Sequence, residues 1–311
     1  MNVPEPPVVF DARNPALEAA ILADPEAPEP WLIFGDWLQQ QGDPRGVLIM
    51  RCAAQRAAPK DPKLLRMVEV RLDRYPEYFR GTLGKLGITL RWGFFHKLVM
   101  LAFDRGPSAP RLEACLRSQP HARFLNTIEL TVPDLERCID LIGSLAPATV
   151  RSLAIVGTDR VRDLEPLVPQ LARLRQLSLI AGLSTAAIET FARAPMPNLE
   201  LLAVRAENVA TVLGRCDLPR LHELVIDHPV APDLIDAIAT SSFASRLEAL
   251  GLRDVDSNTA LYILDNLRRF PALTKLSCPY MRIDPSIAST LRGRLEFVGF
   301  LDRYSFSALS K

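Results

Sequence analysis

Along the last two-thirds of the chain, apolar positions recur in one spacing, L-x-x-L-x-L. Its members are Phe95/Leu98/Met100, Leu125/Ile128/Leu130, Val150/Leu153/Ile155, Leu174/Leu177/Leu179 and Leu199/Leu202/Val204. Leu221/Leu224/Ile226, Leu247/Leu250/Leu252, Leu273/Leu276/Cys278 and Leu295/Val298/Phe300 follow. The first members lie 30, 25, 24, 25, 22, 26, 26 and 22 residues apart, a mean of 25. One such triplet occurs by chance in any apolar protein, but nine at near-constant spacing do not. Between triplets the apolar positions change to helical spacing, in steps of three and four as in Leu135/Ile139/Ile142 and Leu261/Leu264/Leu267, with Leu234 and Ile235 four and three residues before Ile238, which is the period of a helix. Asp134, Ser184, Asp233, Ser257 and Asp284 stand where helix caps are expected. Pro147, Pro195, Pro197, Pro219 and Pro271 fall between a helix and the next triplet, where proline breaks the helix. Each unit therefore reads as a short strand, a turn and a helix.

A period of 25 lies within the range of leucine-rich repeats, and residues 92–302 resemble that family. The resemblance implies an α/β fold: a solenoid of about nine strand–turn–helix repeats with helical segments like those of ribonuclease-inhibitor-type repeats. One feature departs from the family. Three positions after each triplet the family carries Asn or Cys, whereas this chain has Phe103, Pro133, Thr158, Gly182, Glu207, Pro229, Val255, Met281 and Arg303. No Asn ladder is available, so the turns must satisfy their backbone groups in another way. The alternative is an α/β sheet of βαβ units, but no Gly-rich phosphate turn follows any strand.

The first ninety residues follow another pattern. Residues 1–14 are expected to be disordered, Pro-rich at 1–9. Helical signals then run over 15–23, 30–41, 44–57, 62–74 and 77–85. Gly42-Asp43-Pro44 reads as a helix stop, a new N-cap and a first-turn proline. Trp31, Phe34, Trp37 and Leu38 form one apolar face, for core packing or for a partner groove. Ala23-Asp24-Pro25, Pro30 to Leu38 and Gly42-Asp43-Pro44-Arg45-Gly46 resemble the small repeat-companion domain that precedes leucine-rich repeats in many myxobacterial and planctomycete proteins. Gly35 stands where that domain usually has Ala, and Val47 where an acid is common. The resemblance implies a helical capping domain over 15–91, a repeat domain over 92–302 and a C-terminal cap or tail over 303–311. Asp36 and Arg45 are expected to pair between two helices.

Composition narrows the function classes. In 311 residues, Lys and Arg number 37 against 36 Asp and Glu, for a net charge of +1, which gives no whole-protein field for nucleic acid or a membrane surface. The balance hides a local asymmetry of −7 over residues 1–44 against +7 over 45–91. The longest apolar run, Leu98 to Phe103, is far short of a membrane helix, and the N-terminus carries no secretory signal pattern. Five scattered cysteines (52, 115, 138, 216 and 278) suit free thiols in a reducing cytoplasm. Proline outnumbers glycine 26 to 15, and much of that excess marks the joints between repeats.

Motifs for catalysis are missing from the sequence. G-x-x-x-x-G-K-[ST], G-x-S-x-G, H-E-x-x-H and C-x-x-C do not occur. His96, His121, His222 and His228 are too scattered for a metal site. Cys138-Ile-Asp140 spells the C-x-D of bacterial leucine-rich-repeat ubiquitin ligases, but there the motif lies in a separate domain after the repeats; here it falls on a repeat helix and reads as core. The expectation is thus a non-enzymatic cytoplasmic bacterial protein with no catalytic residue, cofactor or metal. Its partner is expected to be another protein rather than a nucleic acid or a membrane, bound on the concave strand face through Arg205, Glu223, Asp227, His228, Arg253, Asp254, Lys275 and Tyr280. The alternative is nucleic-acid or acidic-partner binding by basic helices at 51–74, through Arg51, Arg56, Lys63, Arg66, Arg71 and Arg74, or a regulatory subunit role in an enzyme complex.

Overall fold

The computed structural model describes residues 12–74, 87–101, 108–117, 119–205, 212–278 and 281–298. These form two compact units, one drawn from Met1–Met100 and Pro110–Ile128 and the other from Leu101–Ala109 and Glu129–Lys311. Among the described residues no helix is long and apolar enough to cross a membrane. The signals at 77–85 and the tail at 303–311 lie outside the described residues.

The first unit opens with α1 (Pro15–Ala23), α2 (Pro28–Gln40), α3 (Pro44–Ala57) and α4 (Pro62–Arg74), followed by β1 (Gly87–Arg91) and β2 (Phe94–Leu101). Next along the chain come α5 (Ser108–Arg117), α6 (Gln119–Ala122) and β3 (Thr127–Thr131). Of the N-terminal stretch expected to be disordered, residues 1–11 lie outside the described residues and 12–14 are among them. Ala12 is buried, Arg13 binds Glu18 at 2.8 Å, and Asn14 caps α1 by accepting from the Leu17 amide.

Trp31, Phe34 and Leu38 bury one face of α2 against Ile21, Ile49, Trp92, Phe94 and Phe124, with Trp37 packed at the margin. The rings meet edge to face, Phe94 on Phe124 at 4.9 Å and 89° and Trp31 on Phe124 at 5.0 Å, the arrangement aromatic quadrupoles favour. Trp92 and Gly93 form the two-residue turn between antiparallel β1 and β2, both at positive φ (54° and 80°), as such hairpins require. Trp92 pays for that conformation by stacking on Trp31 at 5.8 Å.

Gly42-Asp43-Pro44-Arg45-Gly46 packs several roles into five residues. Gly42, at φ 75°, ends α2 with paired bonds from the Gly42 amide to the Gln39 carbonyl and from Asp43 to Leu38, a Schellman closure. Asp43 caps α3 through the Arg45 amide at 2.9 Å. Arg45 is fully buried and pairs with Asp43, not with Asp36, which lies on the exposed side of α2. Two residues beyond Phe34, Asp36 points nearly opposite to the buried face of the helix. The Arg45 guanidinium also lies 4.8 Å from the Phe94 ring and donates to the Pro120 carbonyl at 2.6 Å. Arg123 donates to the same carbonyl at 3.1 Å and to Glu18 at 2.6 Å. Burial raises the Glu18 carboxyl, but the hydrogen bond and charge of Arg13 and the charge of Arg123 outweigh it and hold it below its ordinary value.

The second unit is a stack of parallel strands joined by helices. After α7 (Leu135–Leu145) come β4 (Ser152–Val161), α8 (Val168–Leu171), β5 (Gln176–Leu183), α9 (Thr185–Arg193), β6 (Leu201–Val204) and β7 (Glu223–Pro229). Then follow α10 (Pro232–Thr240), β8 (Ala249–Arg253), β9 (Val255–Asp256), α11 (Ser257–Asn266), β10 (Lys275–Ser277), β11 (Met281–Arg282), α12 (Pro285–Arg292) and β12 (Glu296–Val298). The strands pair in chain order, β4-β5-β6-β7-β8-β10-β12, every pair parallel. Leu177, Leu202, Leu224, Leu250 and Leu276 lie side by side in register, all essentially excluded from water. They are the fourth positions of successive repeats. The last strand departs by one residue, since Leu276 faces Phe297 rather than Val298. The ninth triplet therefore does not continue the register, and a slip of one exchanges the two faces of a strand.

Backbone bonding is as periodic as the leucines. The amide of the first Leu of a repeat donates three residues back, from Leu174 to Leu171, Leu199 to Met196, Leu221 to Leu218 and Leu273 to Phe270. Pro197, Pro219 and Pro271 follow those acceptors, at the turn position where the φ of proline is already correct. The next two amides both donate to one carbonyl of the preceding repeat: Glu200 and Leu201 to Arg175, His222 and Glu223 to Glu200, Glu248 and Ala249 to His222, Thr274 and Lys275 to Glu248. Where an Asn ladder would run, backbone pairs with backbone instead. Arg160 and Val161 face Gly182 and Leu183, and β9 pairs with β11. Acidic side chains add ties from repeat to repeat, Glu189 to Arg215 at 2.6 Å and Asp236 to both Tyr262 and Arg269 at 2.6 Å. Ser184 and Asp284 cap α9 and α12 as expected. For α11 the cap is Asp256, not Ser257. Asp233 lies inside α10, which follows Ala231. Asp134 precedes α7 without capping it and instead accepts from the Ala109 amide.

Candidate partner-binding face

Side chains alternate along a strand, so the residues between the buried leucines project from the opposite side of the sheet. Pairing in register sorts them into rows that cross the strands. The middle row, Ala154, Ser178, Ala203, Val225, Gly251 and Ser277, is built of small side chains. A Cβ on Gly251 would come within 3.1 Å of the Val225 side chain, so the floor is closely packed there. One flanking row reads Gln176, Leu201, Glu223, Ala249 and Lys275. The other holds Val156 and Ile180, with Arg205, Asp227 and Arg253 at the matching positions of later repeats.

The face changes character from strand to strand. Ile180, Leu201 and Ala203 form a buried apolar cluster, with Val156 and Val225 packed against it. Beyond it, Arg253 reaches across from β8 to Asp227 on β7 at 2.9 Å and lies 3.5 Å from Asp254. Asp254 has φ 52°, a conformation that Asp tolerates better than most residues. The second oxygen of Asp227, Oδ2, is buried with no hydrogen-bond partner among the described residues, as is Ser277 Oγ. Glu223 is half-buried, between Leu201 on β6 and Ala249 on β8. Burial raises its carboxyl above the ordinary value, opposed by the charges of His222 and Lys275.

Of the residues expected on this face, Glu223, Asp227, Arg253 and Lys275 lie on adjacent strands, Arg205 follows β6 in the exposed state and Asp254 follows β8. His228 is part of β7, but its side chain lies outside the described residues, as does the whole of Tyr280. Sequence reasoning expected an apolar patch at Leu101, Val156 and Ile180 on this face but did not join Leu201 to it, although Leu201 is the one large aliphatic side chain at a third position of the repeat.

The basic residues of the first unit are used differently. Arg51 donates to the Met67 carbonyl at 2.8 Å and joins α3 to α4. Arg56 lies 5.3 Å over the Trp92 ring. Lys63 and Arg66 are exposed on α4, while the side chains of Arg71 and Arg74 lie outside the described residues. Cys138 is fully buried, and burial pushes its thiol up to about 12, which leaves no thiolate at neutral pH. Among the described residues no three His, Cys, Asp or Glu side chains are grouped to hold a metal ion.

No family model matches the sequence. Among solved structures, a protein of Bacteroides fragilis aligns over 60% of this chain with 18% identity and a TM-score of 0.44. The chain spans 58% of the length of that protein. An internalin of Listeria monocytogenes aligns over 71% of this chain and 73% of its own, with 15% identity and a TM-score of 0.35.

Proposed function

We propose that this chain is a protein-interaction module that binds its partner on the concave face of a leucine-rich repeat solenoid. In this reading, residues 92–302 are about nine repeats, residues 15–91 a capping domain of the repeat-companion type, and the activity is binding rather than catalysis. One observation carries it: a floor of small side chains crossing six strands, bordered by an apolar cluster and by Arg, Asp and Glu. Interfaces combine an apolar centre with a polar rim, and repeats hold such a surface rigid. Arg205, Glu223, Asp227, His228, Arg253, Asp254, Lys275 and Tyr280 are the proposed contacts.

The reading is tested by co-purification of partners from the native host. The triple variant Arg205→Ala/Asp227→Ala/Arg253→Ala is expected to lose them, while Lys63→Glu/Arg66→Glu keeps them. The opposite result would place binding on the basic helices.

A further inference from the structure

Glu223 is the charged side chain on this face whose surroundings are least suited to it. It stands in register between Leu201 and Ala249, with Val225 two positions along the same strand face. It makes no hydrogen bond or ion pair with any described residue. Lys275 is two strands away in the same row, roughly 10 Å by the spacing of strands, and acts on Glu223, as His222 does, through its charge and not through a direct ion pair. Asp227, four residues along on the same face, is already neutralised by Arg253. A half-buried carboxylate over aliphatic neighbours lacks the solvation that stabilises its charge, and a cation brought to it restores what burial removes.

We infer that Glu223 is the specificity element of this face, the counter-charge for a Lys or Arg of a protein segment whose neighbouring aliphatic side chain rests on Leu201, Ala203 and Val225. The inference rests on the concave-face reading above and names the chemistry of its partner. An acidic segment is disfavoured at this point, because a second carboxylate would meet the first with no cation between them. The pairing would be sheltered from water by the partner itself, which is where opposite charges discriminate best between partners.

The test is selection of a phage-displayed random 12-residue peptide library on the full chain. Wild type is expected to enrich peptides with Lys or Arg beside an aliphatic residue, and the best of them should bind Glu223→Gln about tenfold more weakly, the scale of one lost interfacial charge pair. Glu223→Lys should exchange the basic preference for an acidic one, and Lys275→Ala should leave it basic. Selected peptides without a basic preference, or with equal affinity for wild type and Glu223→Gln, overturn the inference. Ala249→Trp, which fills the row beside Glu223, separates the two readings. Peptides that are blocked by Ala249→Trp but indifferent to Glu223 refute only the inference. Peptides unaffected by Ala249→Trp, or no selected peptides at all, refute the concave-face reading with it.

Discussion

Arg45 and Gly46 are adjacent, yet each is constrained by a different part of the first unit. The Arg45 guanidinium is shut away from water with Asp43, and its other donors reach the chain at Pro120. Removing it leaves a buried carboxylate, so Arg45→Ala should cost about 3–5 kcal/mol, read as a drop in the denaturant midpoint. A Cβ on Gly46 would lie 2.5 Å from the Gly35 carbonyl oxygen and 2.6 Å from the Gln39 amide nitrogen. Those atoms are backbone and cannot turn aside, so Gly46→Ala must part α2 from α3 at about 1–3 kcal/mol. The stop and restart at Gly42-Asp43-Pro44 was legible because each residue acts within its own turn. The partner of Arg45 was not, because two carboxylates lay within plausible reach and only packing decides which way α2 faces.

At the scale of the element, the strands were the most legible part. A spacing of three and then two, repeated along the chain, leaves few ways to bury its leucines other than in parallel register. Leu224, flanked by Leu202 and Leu250 and wholly buried, should lose about 3–5 kcal/mol as Leu224→Ala. Val225→Ala, one residue along on the other face and half-buried, should lose much less. Thermal unfolding of the two variants side by side checks the assignment of faces. Boundaries were less legible. Asp256 caps α11 where Ser257 was expected, since both can accept a bond and only backbone geometry chooses between them. The last strand slipped by one because Leu295, Phe297 and Val298 offer two apolar registers.

At the scale of the whole molecule, charge and acid sensitivity come forward. Burial, with the Arg45 charge second, holds the His121 imidazole down to about 4, from an ordinary value of 6.5. Burial lowers His96 as well, aided by Arg91. A base that resists protonation when folded takes its proton first when unfolded, so stability is full above pH 6.5 and falls as pH drops toward 4. Glu18, held below its ordinary 4.5, adds stability above that pH and loses it as pH falls through its lowered value. Both effects act in the same direction, and Glu223, whose carboxyl burial raises, opposes them in part by gaining stability as it takes up its proton. Melting temperature should therefore fall steadily from pH 7 to pH 4, and His96→Gln/His121→Gln should flatten the curve above pH 4.5 without removing the steeper loss below it. For the candidate face, alternation along the strands showed which residues share a side. It could not show that Arg253 is occupied by Asp227, that Arg51 and Arg56 serve internal contacts, or that the Glu223 carboxyl feels Lys275 and His222 only as charges, without a direct ion pair. Those distinctions depend on distances between repeats, which no spacing within a repeat contains.

The paired amides that converge on one carbonyl of the preceding repeat have a consequence for how such a chain changes over time. The residues at that position are Arg175, Glu200, His222 and Glu248, and nothing in the bond reads their side chains. At this joint neighbouring repeats recognise one another through main-chain atoms that every amino acid but proline supplies. A unit of this kind can be duplicated, deleted or rewritten on its outward rows, and the joint to the next unit remains the same.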